Sequence, residues 1–138
     1  MDNGLRIAVD FDGTIVEHAY PDIGKPLPGA FETLISLTEM GHKIILWTFR
    51  DGDLLQDAVE FCMEHGLMFW AINQSFPDEE FNQFLSRKII ADVYIDDRNF
   101  GGFPGWDVVY KAIADDKLYR QYERTHKKRG WFGRKLIR

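Results

Sequence analysis

Short apolar runs alternate with longer amphipathic stretches along the chain, and the two patterns predict different elements. The apolar run at 5–9, which ends in Asp10, has the length and branched-residue content of a strand buried on both faces, and such strands belong to parallel sheets. Residues 29–40 then place Phe31, Leu34, Ile35, Leu37 and Thr38 at helical spacing, with Pro28 before the start and Gly41 just past the end. A second buried strand is predicted at 43–49. A helix follows at 53–65, closed by Gly66 and carrying Leu54, Leu55, Ala58, Phe61 and Cys62 on one stripe. Residues 68–73 and 89–95 read as third and fourth strands, separated by a polar loop at 75–84 with at most one short helix. After a Gly- and Pro-rich loop at 101–105, a last helix begins at Trp106, with Trp106, Val109, Tyr110 and Ile113 as its inner face.

Regular alternation of strand and helix implies an α/β fold: a three-layer, Rossmann-like open parallel sheet with helices on both faces. Residues 1–138 read as a single domain with a basic helix or tail at about 117–138. In such sheets ligands bind beyond the carboxyl ends of the strands, so the residues found there carry the functional information.

Composition narrows the function classes. With 45% hydrophobic and 28% charged residues in 138, the chain is globular rather than disordered or collagenous. Its longest apolar stretches are far short of the roughly 18 residues that span a bilayer, and the N-terminus carries Asp2 where a secretory signal would carry basic residues, so a cytoplasmic location without membrane partners is expected. Cys62 is the one cysteine, which excludes an internal disulfide and a cysteine-built zinc site, and its place in a helical stripe makes it structural. The histidines His18, His42, His65 and His126 form no ligand pair and are expected at the surface.

The net charge of -5 conceals an asymmetry: residues 117–138 carry +8 and the remainder -13. A solvated basic helix explains the tail. So does a binding arm for an anionic partner, with Trp131 and Phe132 inside the basic cluster as stacking groups; both readings stay open.

At the predicted strand ends stand Asp10-Phe11-Asp12-Gly13-Thr14 after the first strand, Thr48 at the second and Asp96-Asp97 at the fourth, with Lys88 just before it. If the first strand lies between the second and fourth, these groups converge. Several carboxylates in one cavity repel one another unless protonated or offset by a cation, and oxygen-only donors suit magnesium. Thr48 and Lys88 offer a hydroxyl donor and a positive charge to a phosphate.

Together, Asp10-Phe11-Asp12-Gly13-Thr14, Thr48, Lys88 and Asp96-Asp97 resemble the four ordered motifs of the haloacid dehalogenase (HAD) superfamily of phosphohydrolases. Trp47-Thr48-Phe49-Arg50 and Ile95-Asp96-Asp97-Arg98-Asn99 are similar to those of its small, capless, predicted bacterial phosphatases. The resemblance covers roughly residues 5–100 and implies a HAD-like fold and a magnesium-dependent phosphomonoester hydrolase. In that reading Asp10 is the nucleophile that forms an aspartyl-phosphate, and Asp12 is the general acid and base. Magnesium is held by Asp10, the backbone carbonyl of Asp12, and Asp96, with Asp97 directly or indirectly bound. Thr48 and Lys88 bind the phosphoryl group, with Arg87 as the alternative cation. Gly13, Thr14 and Phe49 follow the two motif acids or Thr48 and are further phosphate-contact candidates through their backbone amides or neighbouring groups. Arg50, Lys25 and Asn99 lie on loops that should rim the site and are substrate-contact candidates.

Two other functions use similar residues. A receiver-type phosphoacceptor uses similar groups but carries its acceptor carboxylate at the end of the third strand, where this chain has Asn73-Gln74-Ser75. A catalytically silent binding module on the same fold is opposed by the retention of both Asp10 and Asp12. A helix and a strand use most of the residues between Gly13 and Leu46, and again between Phe49 and Arg87, so no cap domain is expected. The site would then be open to small or macromolecular phosphate esters unless a flap at 17–28, a partner or an oligomer covers it.

Overall fold

A computed structural model describes residues 4–115. Along the chain it contains β1 (Arg6–Val9), α1 (Ala30–Glu39), β2 (Lys43–Leu46), α2 (Gly52–Glu64), β3 (Ala71–Ile72), β4 (Val93–Ile95) and α3 (Trp106–Ala114). The basic tail, with His126, Trp131 and Phe132, lies outside the described residues. The strands form one all-parallel sheet in the order β3-β2-β1-β4, so β1 does lie between β2 and β4.

Central position explains the composition of β1. Ile7, Ala8 and Val9 are buried, with Ile7 and Val9 in the larger core cluster and Ala8 in the smaller one on the opposite side of the sheet. The larger cluster takes Leu34 and Leu37 from α1, Ala58 and Cys62 from α2, and Trp106, Val109 and Ile113 from α3. Each fully buried leucine here contributes about 1.5–3 kcal/mol. Burial also pushes the Cys62 thiol up to about 12, which keeps it protonated and unreactive. Gly41 ends α1 at φ 97° and Gly66 follows α2 at φ 87°, left-handed positions that favour glycine.

The buried residues of the three described helices all join the cluster on one face; the sequence predicts helices on both, and among the described residues none covers the other. Handedness gives the reason. The right-handed connections β1-α1-β2 and β2-α2-β3 step outward in one direction and deposit their helices on the same side. The return from β3 to β4 must cross the opposite side, and residues 73–92 make that crossing as turns and extended chain with no helix. Buried Ser75 organises it: its amide donates to Glu79 Oε1 (2.9 Å) and its Oγ accepts the Ile90 amide (2.9 Å). Ile89, Trp47, Trp70, Ala91 and Tyr94 cover this face instead.

The strands are shorter than the apolar runs predict. Before β4 only the Asp92 amide makes a backbone bond to β1, donating to Arg6 O (2.8 Å), and Ile90 is 67% exposed. Before β3, Trp70 still donates to Ile44 O (2.8 Å), but ladder pairing is confined to Ala71 and Ile72. On α3, Tyr110 is 38% exposed and does not share the inner face with Trp106, Val109 and Ile113. None of the described helices is long and apolar enough to cross a membrane.

Candidate active site

Parallel pairing brings the carboxyl ends of β1, β2 and β4 to one edge. The Asp10 amide donates to Ile95 O (2.9 Å), which sets the first motif beside Asp96. Carboxylate oxygens of Asp10, Asp96 and Asp97 all lie within 4.8 Å of one another. Burial, then the charge of Asp96, then a hydrogen bond with Asp97 push the Asp10 carboxyl up to about 7, with Thr14 acting in the opposite direction. Asp97 Oδ1 is buried without a hydrogen-bond partner. A cluster so short of positive charge, with an orphaned oxygen, fits a hard divalent cation, and oxygen-only donors fit one of the magnesium kind.

Thr14 occupies a different place from the one expected. It is fully buried and does not line the cavity. Its hydroxyl donates to Asp10 Oδ2 (3.1 Å) and accepts from the Asp97 amide (3.0 Å), while its carbonyl accepts the Trp106 indole N–H (2.7 Å). One side chain thus ties the first acid to the fourth-strand pair, and α3 holds it in place. Gly13 turns the chain at φ 84°, and a Cβ there would collide with Asp97 Oδ2. Its amide donates to Val16 O (2.8 Å) and the Thr14 amide to Phe11 O (3.2 Å), so both serve the turn rather than a phosphate.

Asp12 is not in the carboxylate trio. Both of its oxygens accept from Arg50, Nε to Oδ2 and Nη2 to Oδ1, each at 2.8 Å. Arg50 is 1% exposed and therefore no rim residue. It also donates to Pro21 O (3.3 Å), Asp22 O (2.8 Å) and Leu54 O (3.3 Å). A guanidinium with five donors in a rigid plane can satisfy all of these at once, which is how a buried arginine becomes tolerable. The loop at 17–28 is pinned by it and by Leu27 N to Ile15 O and Glu17 N to Lys25 O.

Thr48 lies at the cavity, its amide fixed by Asn73 Oδ1 (2.8 Å) at the end of β3. Its Oγ1 accepts the Arg50 amide (3.1 Å), which leaves the hydroxyl proton to donate outward. The cavity, about 900 Å³, is lined by Asp10, Asp12, Thr48, Phe49, Arg87 and Asp96 together with His18, Tyr20 and others. Lys88 is not on its wall; the Lys88 ammonium lies 5.4 Å from the Tyr94 ring centroid. Lys25 and Asn99 are exposed and also off the wall. The roles of Thr14, Arg50 and Asn73 escape sequence reading. Two signals were available: a tryptophan that needs an indole acceptor, and an asparagine at a strand end, a residue that tolerates the left-handed backbone Asn73 adopts at φ 52°.

No protein-family profile and no curated protein matches the chain. Among solved structures it is similar to a conserved protein from Bacteroides thetaiotaomicron, with 50% sequence identity and a TM-score of 0.77 over 82% of this chain and 92% of that one. At that identity and coverage, the chain belongs to the same protein family as the Bacteroides thetaiotaomicron protein.

Proposed function

We propose that the protein is a phosphomonoester hydrolase of the HAD type, capless and magnesium-dependent, with Asp10 as its nucleophile. The observation that carries this reading is the convergence of Asp10, Asp96 and Asp97 within 4.8 Å, with Asp10 and Asp96 on the wall of a large cavity that Thr48 also lines. Supporting the capless form, residues 17–28 are a short pinned loop and not an inserted domain.

Asp10, Asp96 and Asp97 would hold the cation. Bound there, magnesium supplies the positive charge that lets these acids and a phosphate dianion share one site. The Thr14 hydroxyl fixes the Asp10 carboxylate by bonding Oδ2. Asp10 forms a bond to phosphorus as the ester P–O bond breaks, and the alcohol leaves with a proton from Asp12. Water, giving its proton back to Asp12, then splits the aspartyl-phosphate to inorganic phosphate and free Asp10. Thr48 donates its hydroxyl proton to a phosphoryl oxygen, and Arg87, which with Arg98 lines the cavity, supplies the positive charge expected of Lys88. Each Asp12 oxygen accepts one hydrogen bond from Arg50, which keeps the carboxylate aimed and leaves each oxygen a second lone pair for proton transfer.

Hydrolysis of p-nitrophenyl phosphate with magnesium or with chelator is the direct test. Activity that requires magnesium and is lost in Asp10→Asn supports the reading; turnover unchanged by that substitution overturns it.

A further inference from the structure

A phosphate fills only the floor of a cavity of about 900 Å³, which is at the upper end of the range for small-molecule sites. What lies above the floor is aromatic. Phe49, next in sequence to the phosphate-binding Thr48, is 90% exposed, and Tyr20 from the pinned loop is 43% exposed. The two rings meet edge to face at 6.4 Å between centroids. Phe81, 64% exposed, and Trp47 line the same cavity. Apart from its contact with Tyr20, Phe49 gains little from the folded chain, yet it lines the same cavity as Asp10, Thr48 and Asp96.

The platform is braced from behind. The Arg50 guanidinium carbon lies 5.2 Å from the Tyr20 ring centroid on one side and 5.1 Å from that of Phe11 on the other. Because Arg50 is itself held by Asp12, Pro21, Asp22 and Leu54, Tyr20 is stacked on a group that cannot move independently of the acid. A face held in this way binds a flat partner at low entropic cost. Polar edges are present as well, in Gln74 and Arg87.

We infer that the ester recognised here carries a planar aromatic group, and that the cavity size selects a nucleoside monophosphate, its phosphate at the acidic end of the cavity and its base stacked on the exposed Phe49 ring, with Tyr20 at the base's edge. The inference rests on the phosphohydrolase reading and specifies its substrate class. Base stacking on aromatic side chains is sequence-tolerant, so any of the common bases would be accepted.

The test compares nucleoside 5′-monophosphates with ribose 5-phosphate, which keeps the sugar and the phosphate but lacks the base. The nucleotide should be preferred in kcat/KM by about tenfold or more, mainly through KM. Phe49→Ala and Tyr20→Ala should each reduce that preference, costing more on the nucleotide than on acetyl phosphate. Equal kcat/KM for the two esters, or a preference undiminished in both variants, overturns the inference. Failure to hydrolyse any of the phosphate esters or acetyl phosphate overturns the phosphatase reading separately. Calorimetric titration of the Asp10→Asn protein in magnesium then decides the subsite: tighter binding of the nucleotide, weakened by adding Phe49→Ala, upholds it, and equal binding of both ligands overturns it.

Discussion

Arg50 and Asp12 form a bidentate bridge, both hydrogen bonds at 2.8 Å, with the arginine side chain wholly buried and the aspartate nearly so. The bridge spans three parts of the molecule: the turn after β1, the loop at 17–28 and the first turn of α2. It orients the acid proposed for proton transfer, and it fixes the wall of the cavity in which that acid works.

Breaking the bridge from one side should be costly. Arg50→Ala leaves Asp12 without its donors and three carbonyls without theirs, and it should destabilise the fold by about 3–5 kcal/mol in urea unfolding. Arg50→Lys should rescue little of this, since an ammonium cannot reproduce the two-pronged geometry. A double variant with Asp12→Asn should cost less than the two single changes added together. Strict additivity would contradict a direct coupling.

The raised Asp10 carboxyl has a defined pH signature. With a folded value of about 7 against an ordinary 3.8, the folded protein holds a proton that the unfolded chain has released. Stability from this group is therefore complete below pH 3.8 and is lost as the pH rises through about 7. In chelator, the urea midpoint should fall across that window, and Asp10→Asn should flatten the decline. Magnesium at a hundred times its dissociation constant should restore about 2.7 kcal/mol at neutral pH and far less in acid, where protons compete for the same oxygens. A midpoint insensitive to magnesium at pH 7 would count against a cation among Asp10, Asp96 and Asp97.

Gly13→Ala tests the tightness of the turn. A side chain at φ 84° is strained, and its Cβ would strike the Asp97 carboxylate. A loss of more than about 1 kcal/mol is expected, together with weaker magnesium binding in calorimetry. A stable variant with unchanged metal affinity would show that Asp97 is free to move.

Thr14→Val keeps the shape of the side chain but removes the hydroxyl. The Asp97 amide would then be left without its acceptor, at about 1–3 kcal/mol, and Asp10 would lose the hydrogen bond that opposes its raised pKa. The upper end of the pH window of the stability decline should move upward, its lower end staying at the ordinary carboxyl value. An unchanged window would remove Thr14 from the account.

Asp10, Thr48 and Asp96-Asp97 are legible in the sequence because each is a polar group where an apolar run stops, and parallel pairing guarantees that such stops share an edge. The strand order β2-β1-β4, on which their convergence depends, has no local signal; it is read only from the structure. Arg50 is misread for a physical reason. Arginine after a strand is usually solvated, and its burial here depends on Asp12 and on three backbone carbonyls, two of them from the loop, that no spacing rule brings together. Lys88 is likewise set by the irregular course of residues 73–92, where Ser75, and not a helix, fixes the backbone. Among the described residues, the single helical face follows the same cause: handedness dictates where the crossover passes, but not whether it becomes helical.

The central claim is that Asp10 becomes phosphorylated. The most direct measurement is acid quenching of the protein during turnover of acetyl phosphate in magnesium, followed by borohydride reduction and peptide mass spectrometry. The account predicts reductive conversion of Asp10 to homoserine, dependent on magnesium and accumulating in Asp12→Asn, where the second step is slowed. Hydrolysis proceeding with no adduct at Asp10 in either protein would contradict it.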